Sequence, residues 1–234
     1  MKPKIIAHRG ASAHAPENTM TAFQLALDLG IDGVELDVML SRDGQVVVIH
    51  DDTVDRTTDG TGNVRDLTLA ELKKLDAGEG EQVPTLVEVF ERFGGRFLIN
   101  IELKNYTSIF DQLPIEVAKL VESFDLVDSL LISSFNPFNI PRFRRRIPDA
   151  TLGLITLPGK AKNWIWRLFR YDALHPHFDD VDKVLVSALH ARNRQINVWT
   201  PDEPEEIQRL AGLGVDGIIT NYPQRSLEVL ESLS

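Results

Sequence analysis

Short apolar runs of strand length alternate with amphipathic stretches of helical period from one end of the chain to the other, and no other feature constrains its fold as strongly. Strands separated by helices run parallel, and a parallel sheet must be covered on both faces or closed on itself. The candidate strands are 4–7, 34–40, 97–103, 130–134, 151–156, 172–174, 196–199 and 217–220. Helical periodicity fills most gaps, over 19–29 with Asn18 as cap and Gly30 as stop, and over 86–93, 114–124, 181–191, 204–210 and 224–230. Eight strand–helix units in 234 residues match a TIM (β/α)8 barrel, whose working face is the C-terminal ends of its strands. A doubly wound open sheet is the alternative, but no Gly-x-Gly-x-x-Gly follows the first strand.

Two features interrupt the repeat. Ser41-Arg42-Asp43-Gly44 reads as a hairpin turn with Asp43-Gly44 as its two central residues, returning an antiparallel strand at 46–49. Residues 51–84 read as a small insertion after the second strand, rich in Asp, Thr and Gly before a short helical pattern at 69–75. With no linker in view, the expectation is one domain over 1–234 with 51–84 as a subdomain at the barrel mouth.

Charge and composition narrow the function. Thirty-five acidic against 25 basic side chains give a formal charge of −10, which argues against a nucleic-acid interface but allows a small anion in a local basic pocket. Without cysteine there is no disulfide, thiolate nucleophile or iron–sulfur cluster. No run of about 18 apolar residues marks a membrane span, and the N-terminus reaches His8-Arg9-Gly10 without a leader-like stretch. A cytoplasmic protein without a transmembrane segment is expected.

The polar clusters fall where strands end. His8 and Arg9 close the first strand, Glu35 and Asp37 share one face of the second, and Glu102 and Lys104 share one face of the third. A two-residue turn at Asp43-Gly44 would set His50 opposite Asp37. Three carboxylates without thiolates suit a hard cation such as Mg2+ or Ca2+, while two imidazoles can serve as acid and base and Arg9 and Lys104 can meet a phosphoryl group. Any one of these groups alone is as readily a structural ion pair or a hydrogen-bonded core histidine. Clustered at strand ends they favour a site, because unpaired buried charges cost several kcal/mol each.

The same residues resemble a known family, the glycerophosphodiester phosphodiesterases. The resemblance runs through His8-Arg9-Gly10, Pro16-Glu17-Asn18-Thr19, Glu35-Leu36-Asp37, Asp43-Gly44 with Val47-Val48-Ile49-His50-Asp51, and Arg56-Thr57-Thr58 with Gly60-Thr61-Gly62. It continues through Pro84-Thr85-Leu86, Ile101-Glu102-Leu103-Lys104, Ser134-Phe135, Val198-Trp199-Thr200 and Gly217-Ile218-Ile219-Thr220-Asn221. It implies a TIM barrel with an insertion after the second strand, hydrolysing small-molecule glycerophosphodiesters to sn-glycerol 3-phosphate and an alcohol. It further implies His8 and His50 as general acid and base, Glu35, Asp37 and Glu102 as ligands of a divalent cation, Arg9 and Lys104 as phosphate contacts, and Trp199 at the mouth over the glycerol. Asn221 stands where many relatives have Asp, and little is expected of that change because it lies outside the metal set.

The segment 157–171 matches no family motif. Its mixture of Trp164, Trp166 and Phe169 with Lys160, Lys162, Arg167 and Arg170 reads either as a lid or lipid-surface contact or as an amphipathic helix on the barrel wall. A lysophospholipase D would share every catalytic residue and differ at this segment. A metal-dependent sugar isomerase leaves Arg9 without a role, and a non-catalytic phosphodiester-binding module leaves the intact His8, His50 and carboxylates without one. The headgroup, the oligomeric state, the acid–base assignment and the choice between direct water attack and a cyclic-phosphate route stay open at this level.

Overall fold

The computed structural model describes residues 2–106 and 110–233. In chain order the elements are β1 (Lys4–His8), α1 (Met20–Asp28), β2 (Gly33–Leu40), β3 (Val46–Val48), α2 (Leu69–Leu72), α3 (Leu86–Phe93), β4 (Leu98–Leu103), α4 (Leu113–Phe124), β5 (Leu130–Ser134) and α5 (Asn139–Arg146). They continue with β6 (Thr151–Ile155), β7 (Ala173–His175), α6 (Lys183–His190), β8 (Gln195–Trp199), α7 (Pro204–Leu213), β9 (Gly217–Thr220) and α8 (Pro223–Ser232). Eight strands pair in parallel in the order β1, β2, β4, β5, β6, β7, β8, β9, and β9 closes back on β1. This is the TIM barrel the alternation implies, with β3 added antiparallel to the end of β2.

Strand parity divides the barrel into two environments. Val34, Leu36 and Val38 of β2 and Ile99, Ile101 and Leu103 of β4 face outward into the apolar layer under the helices. The alternate positions, Glu35 and Asp37 on β2 and Asn100 and Glu102 on β4, face inward. The helices cover the outer layer in the expected way: α3 buries Leu86, Val89, Phe90 and Phe93 at helical spacing. Its start is fixed by a capping box in which Thr85 Oγ1 accepts from the Glu88 amide and Glu88 reaches back to the Thr85 amide.

Local chemistry moves several sequence-based boundaries. Thr19, not Asn18, caps α1, its Oγ1 accepting from the Ala22 amide at 3.2 Å. Asn18 adopts φ +58° and sends its side chain to Asp37 instead. The hairpin turn is one residue longer than expected: Leu40 pairs with Val46, and Gly44 takes φ +77° to close a three-residue loop. Register therefore slips by one, so that the Ile49 amide, not His50, meets the Asp37 carbonyl. α5 is a helix that the sequence pattern hides, since Pro141 and four arginines surround its buried Ile140 and Phe143.

Residues 51–84 carry a 3-10 turn at Val64–Asp66, the four-residue α2, and an apolar cluster of their own in which Val54, Val64, Leu72, Ala77 and Val83 pack with Met39, Val47 and Ile49. The segment 157–171 is not an amphipathic α-helix; it holds a 3-10 turn at Trp164–Leu168. Trp166 and Phe169 pack against the core, whereas Trp164 and Leu168 are 67 % and 68 % exposed, with Leu157 exposed nearby.

Gly10 couples the fold to the site that follows. It takes φ +80°, and a Cβ there would lie 2.7 Å from the Ala22 Cβ and 2.8 Å from the Ala22 backbone carbon of α1. Both the left-handed backbone and the contact oppose any side chain. Gly10→Ala is expected to destabilise the protein by about 2–4 kcal/mol, seen as a lower urea midpoint at unchanged m-value. An unshifted midpoint would show that α1 moves aside at no cost.

Candidate active site

The C-terminal ends of the barrel strands enclose a cavity of about 190 Å3 lined by His8, Arg9, Glu35, His50, Glu102, Lys104 and Trp199, with Asn100, Phe135 and His175 completing its wall. Asp37, the remaining sequence candidate, lies just behind, 3.3 Å from Arg9 Nε and 3.4 Å from Lys104 Nζ. A larger hollow at the opposite end of the barrel, lined by Lys4, Gln195 and Asp216 among others, gathers no comparable acidic cluster among the described residues.

Glu35, Asp37 and Glu102 are buried, and each offers a carboxylate oxygen within 4.8 Å of the others. Oxygens bound 2.0–2.6 Å from one hard cation are separated by no more than about 4–5 Å, so the triad has the dimensions of a Mg2+ or Ca2+ site. Glu35 Oε1 is buried without a hydrogen-bond partner and Asp37 Oδ1 has only the 3.4 Å ion pair with Lys104, a costly state that a bound cation would relieve. Burial, with Asp37 and Glu102 alongside, pushes the Glu35 carboxyl well above the usual range. Burial works the same way on Asp37, but Lys104, His50 and Arg9 overcome it and hold that carboxyl low. Lys104 donates to Glu102 at 2.9 Å and, against the effect of burial, is held above its ordinary range by Glu102 and Asp37. Tyr106 donates a very short hydrogen bond to the same Glu102 oxygen.

The two histidines are held by different arms. His8, at the end of β1 in the barrel wall, is hydrogen-bonded through Nδ1 to Asn221 Oδ1 at 2.7 Å, and its Nε2 lies 3.9 Å from Glu35. Burial first, then the nearby Arg9 guanidinium, lower its pKa to about 4. His50 lies beyond β3, on the hairpin that leaves the barrel, and its Nδ1 meets Asp51 Oδ1 at 2.5 Å. Arg56 from the insertion donates to Asp51 at 2.6 Å and to both oxygens of Glu17, which also accepts from Arg9 at 2.9 Å. Hydrogen bonds from Arg56, outweighing burial, hold the Asp51 carboxyl far below its ordinary range. A line of alternating charge thus runs from Asp51, the partner of His50, through Arg56, Glu17 and Arg9 to Asp37.

An aromatic rim borders the cavity. Tyr106 meets Phe135 edge-on at 5.5 Å, Phe135 meets Trp199 at 5.7 Å, and Trp199 meets His177 at 5.1 Å. His175 is buried in β7 and reaches the cavity; Gly153 of β6 leaves room for the ring, since a Cβ there would lie 2.7 Å from His175 Nε2.

The sequence-nominated residues come together even though the register argument for His50 fails. The loop bend after Val48 brings His50 to the cavity by another route. Roles for Asn18, Glu17, Arg56, Asp202 and Asn221 escape sequence reasoning. The first three lie in motifs quoted above, which is a signal without an assigned partner. Asn221 is the hydrogen-bond partner of His8.

This geometry has counterparts. The model of the glycerophosphoryl diester phosphodiesterase family matches residues 8–225. A glycerophosphodiester phosphodiesterase of Caldanaerobacter subterraneus is 41 % identical over 98 % of both chains. A human lysophospholipase D is 29 % identical, covering 99 % of this chain and 87 % of its own. Among solved structures, an Oleispira antarctica phosphodiesterase in complex with the product sn-glycerol-3-phosphate superposes with a TM-score of 0.89 at 34 % identity, covering 98 % of this chain and 97 % of that one. The match spans the barrel and every strand end that builds the cavity, so the chain belongs to the glycerophosphoryl diester phosphodiesterase family and is a phosphodiesterase.

Proposed function

We propose that the cavity hydrolyses glycerophosphodiesters to sn-glycerol 3-phosphate and an alcohol, with His8 and His50 moving the protons and Glu35, Asp37 and Glu102 holding a divalent cation, Mg2+ or Ca2+. The observation that carries this reading is the convergence of two differently partnered imidazoles on one cavity floored by a buried carboxylate triad. The product complex of the Oleispira relative supports the choice of substrate class.

A bound cation would supply positive charge to the phosphate oxygens as negative charge grows on them. Arg9 and Lys104 add theirs, each already anchored by carboxylates, so they are oriented before substrate arrives. Trp199 and Phe135 form the apolar side of the mouth against which the glycerol carbons rest. His8, with Nδ1–H given to a neutral amide, keeps a lone pair on Nε2 and takes the proton of the attacking group, which is either a water that yields glycerol 3-phosphate directly or the adjacent glycerol hydroxyl, whose cyclic phosphate a water then opens. The new P–O bond forms as the bond to the leaving alcohol breaks. His50, whose ring faces an ionised carboxylate suited to support its positive form, returns a proton to that alcohol.

A lysophospholipid substrate is the second reading, favoured by the exposure of Leu157, two residues after Ile155 of the cavity wall, and of Trp164 and Leu168 later in the same segment, with Arg167 and Arg170 next to them in sequence. This patch would seat an acyl chain or an anionic lipid surface, with Trp166 and Phe169 as its anchors to the core. Glycerophosphocholine, glycerophosphoethanolamine, glycerophosphoglycerol and lysophosphatidylcholine are expected to separate the readings. Glycerol 3-phosphate released from the first three supports the main one, and no release from any of them removes it. Preferential turnover of lysophosphatidylcholine, lost several-fold in the double variant Trp164→Ser/Leu168→Ser, would establish the second.

A further inference from the structure

His8 has an unusual support for a proton-handling imidazole. Its Nδ1 partner is an amide rather than a carboxylate, and a carboxylate stands one step further back. Asp202, in the loop after β8, accepts from Asn221 Nδ2 at 2.7 Å, from the Asn221 backbone amide at 3.0 Å and from Thr220 Oγ1 at 2.9 Å. A carboxylate is acceptor-only, so it admits the Asn221 side chain in one orientation, with NH2 toward Asp202 and Oδ1 toward His8. Oδ1 in turn admits only a donor on the His8 ring, and Ser12 Oγ lies 3.2 Å from the same oxygen. The direction of each hydrogen bond is dictated from Asp202 outward.

We propose that Asn221, its amide oriented by Asp202, is a positioning residue that fixes His8 in the Nδ1–H tautomer and so keeps the Nε2 lone pair turned into the cavity. The proposal rests on the reading of His8 as a proton acceptor for its catalytic consequence, but the tautomer itself is independent of that reading.

The arrangement makes an asymmetric prediction for three near-isosteric changes. Asp202→Asn places an amide against an amide. The Asn221 group then gains by turning over, which sends its NH2 to His8 and requires the ring to accept at Nδ1, moving the hydrogen to Nε2. Asn221→Asp sets two carboxylates face to face. The double variant Asp202→Asn/Asn221→Asp restores every donor–acceptor pair: the new amide at 202 accepts from Thr220 and the backbone of 221 and donates to the new carboxylate, which accepts from His8. A role in mere packing predicts no such recovery.

The test combines nitrogen NMR of the histidine rings in the full-length protein at about pH 8, where imidazoles are largely neutral, with glycerophosphocholine kinetics. His8 is identified by the signals lost in His8→Ala. The wild-type ring is expected to carry its hydrogen on Nδ1, Asp202→Asn is expected to move it to Nε2, and the double variant is expected to return it. In parallel kcat is expected to fall about 10- to 100-fold in each single variant with KM little changed, and to recover in the double variant. Added to His8→Ala, Asp202→Asn is expected to cost nothing more, because the group it acts through is gone. A wild-type His8 protonated on Nε2, an unmoved tautomer in Asp202→Asn, or additive losses in the His8→Ala background would each overturn the proposal. If the wild type releases no glycerol 3-phosphate, the proposed activity fails, and the ring spectra still decide what Asn221 does.

Discussion

Dialysis against EDTA is expected to bring hydrolysis of glycerophosphocholine down to background, and added Mg2+ or Ca2+ to restore it. The reason lies in the balance of buried charge. Asp37 is engaged by Arg9, Lys104 and Asn18, and Glu102 by Lys104 and Tyr106, but Glu35 Oε1 has no partner. Without a cation, burial and the repulsion of Asp37 and Glu102 act against the charged form of Glu35. The phosphate then meets a site short of the charge it needs, and the lost stabilisation is worth several kcal/mol at the transition state. The ion that restores the highest rate identifies the preferred one. Turnover that persists in chelator, with metal analysis showing none bound, would remove the cation from the proposed function. Glu35→Gln is expected to weaken the ion's hold, measured by calorimetric titration with Mg2+, while leaving the fold intact.

The second large effect concerns the imidazoles. His8→Ala and His50→Ala are each expected to lower kcat by on the order of 10²–10⁴, with the far-ultraviolet circular dichroism of the folded protein unchanged. Neither ring is central to packing: the side chains are 20 % and 29 % exposed, and each is hydrogen-bonded to the protein through Nδ1. The two losses are expected to differ in character. A phosphodiester with a more acidic leaving alcohol, such as a nitrophenyl ester, needs less help in departure. It should therefore rescue His50→Ala more than His8→Ala. Equal rescue of both would oppose the assignment of His50 as the acid, and full activity in either single variant would remove that residue from the chemistry.

Legibility of the site in the sequence followed the reach of local rules. The pairs Glu35/Asp37 and Glu102/Lys104 were readable because strand parity alone sends alternate residues to one face. His50 reached the same cavity although the turn that was to place it is a residue longer, since the positive φ of Gly44 admits a three-residue loop as readily as a two-residue one. The cap of α1 was misread for a related reason: Asn18 and Thr19 both suit the position, and the choice was made by Asp37, 19 residues away, which claims the Asn18 amide. Asp202 gave no signal, and Asn221, though part of a quoted motif, gave none of its partner, because loop residues have no periodicity and His8 lies 213 residues earlier. The seven-residue stretch from Leu157 to Asn163 and the turn after it obey no regular period, which is why the amphipathic helix was the wrong description.

The placement of the two histidines on separate pieces of the fold has an evolutionary consequence. His8 is part of a strand that the barrel cannot omit, whereas His50, Asp51 and Arg56 ride on an appended hairpin and insertion with an apolar cluster of its own. Exchange of that appendage leaves the parallel ladder of the barrel untouched. On the proposed function, rewriting this one surface excursion would trade turnover for mere recognition, or retune the leaving group, while the barrel scaffold stays in place.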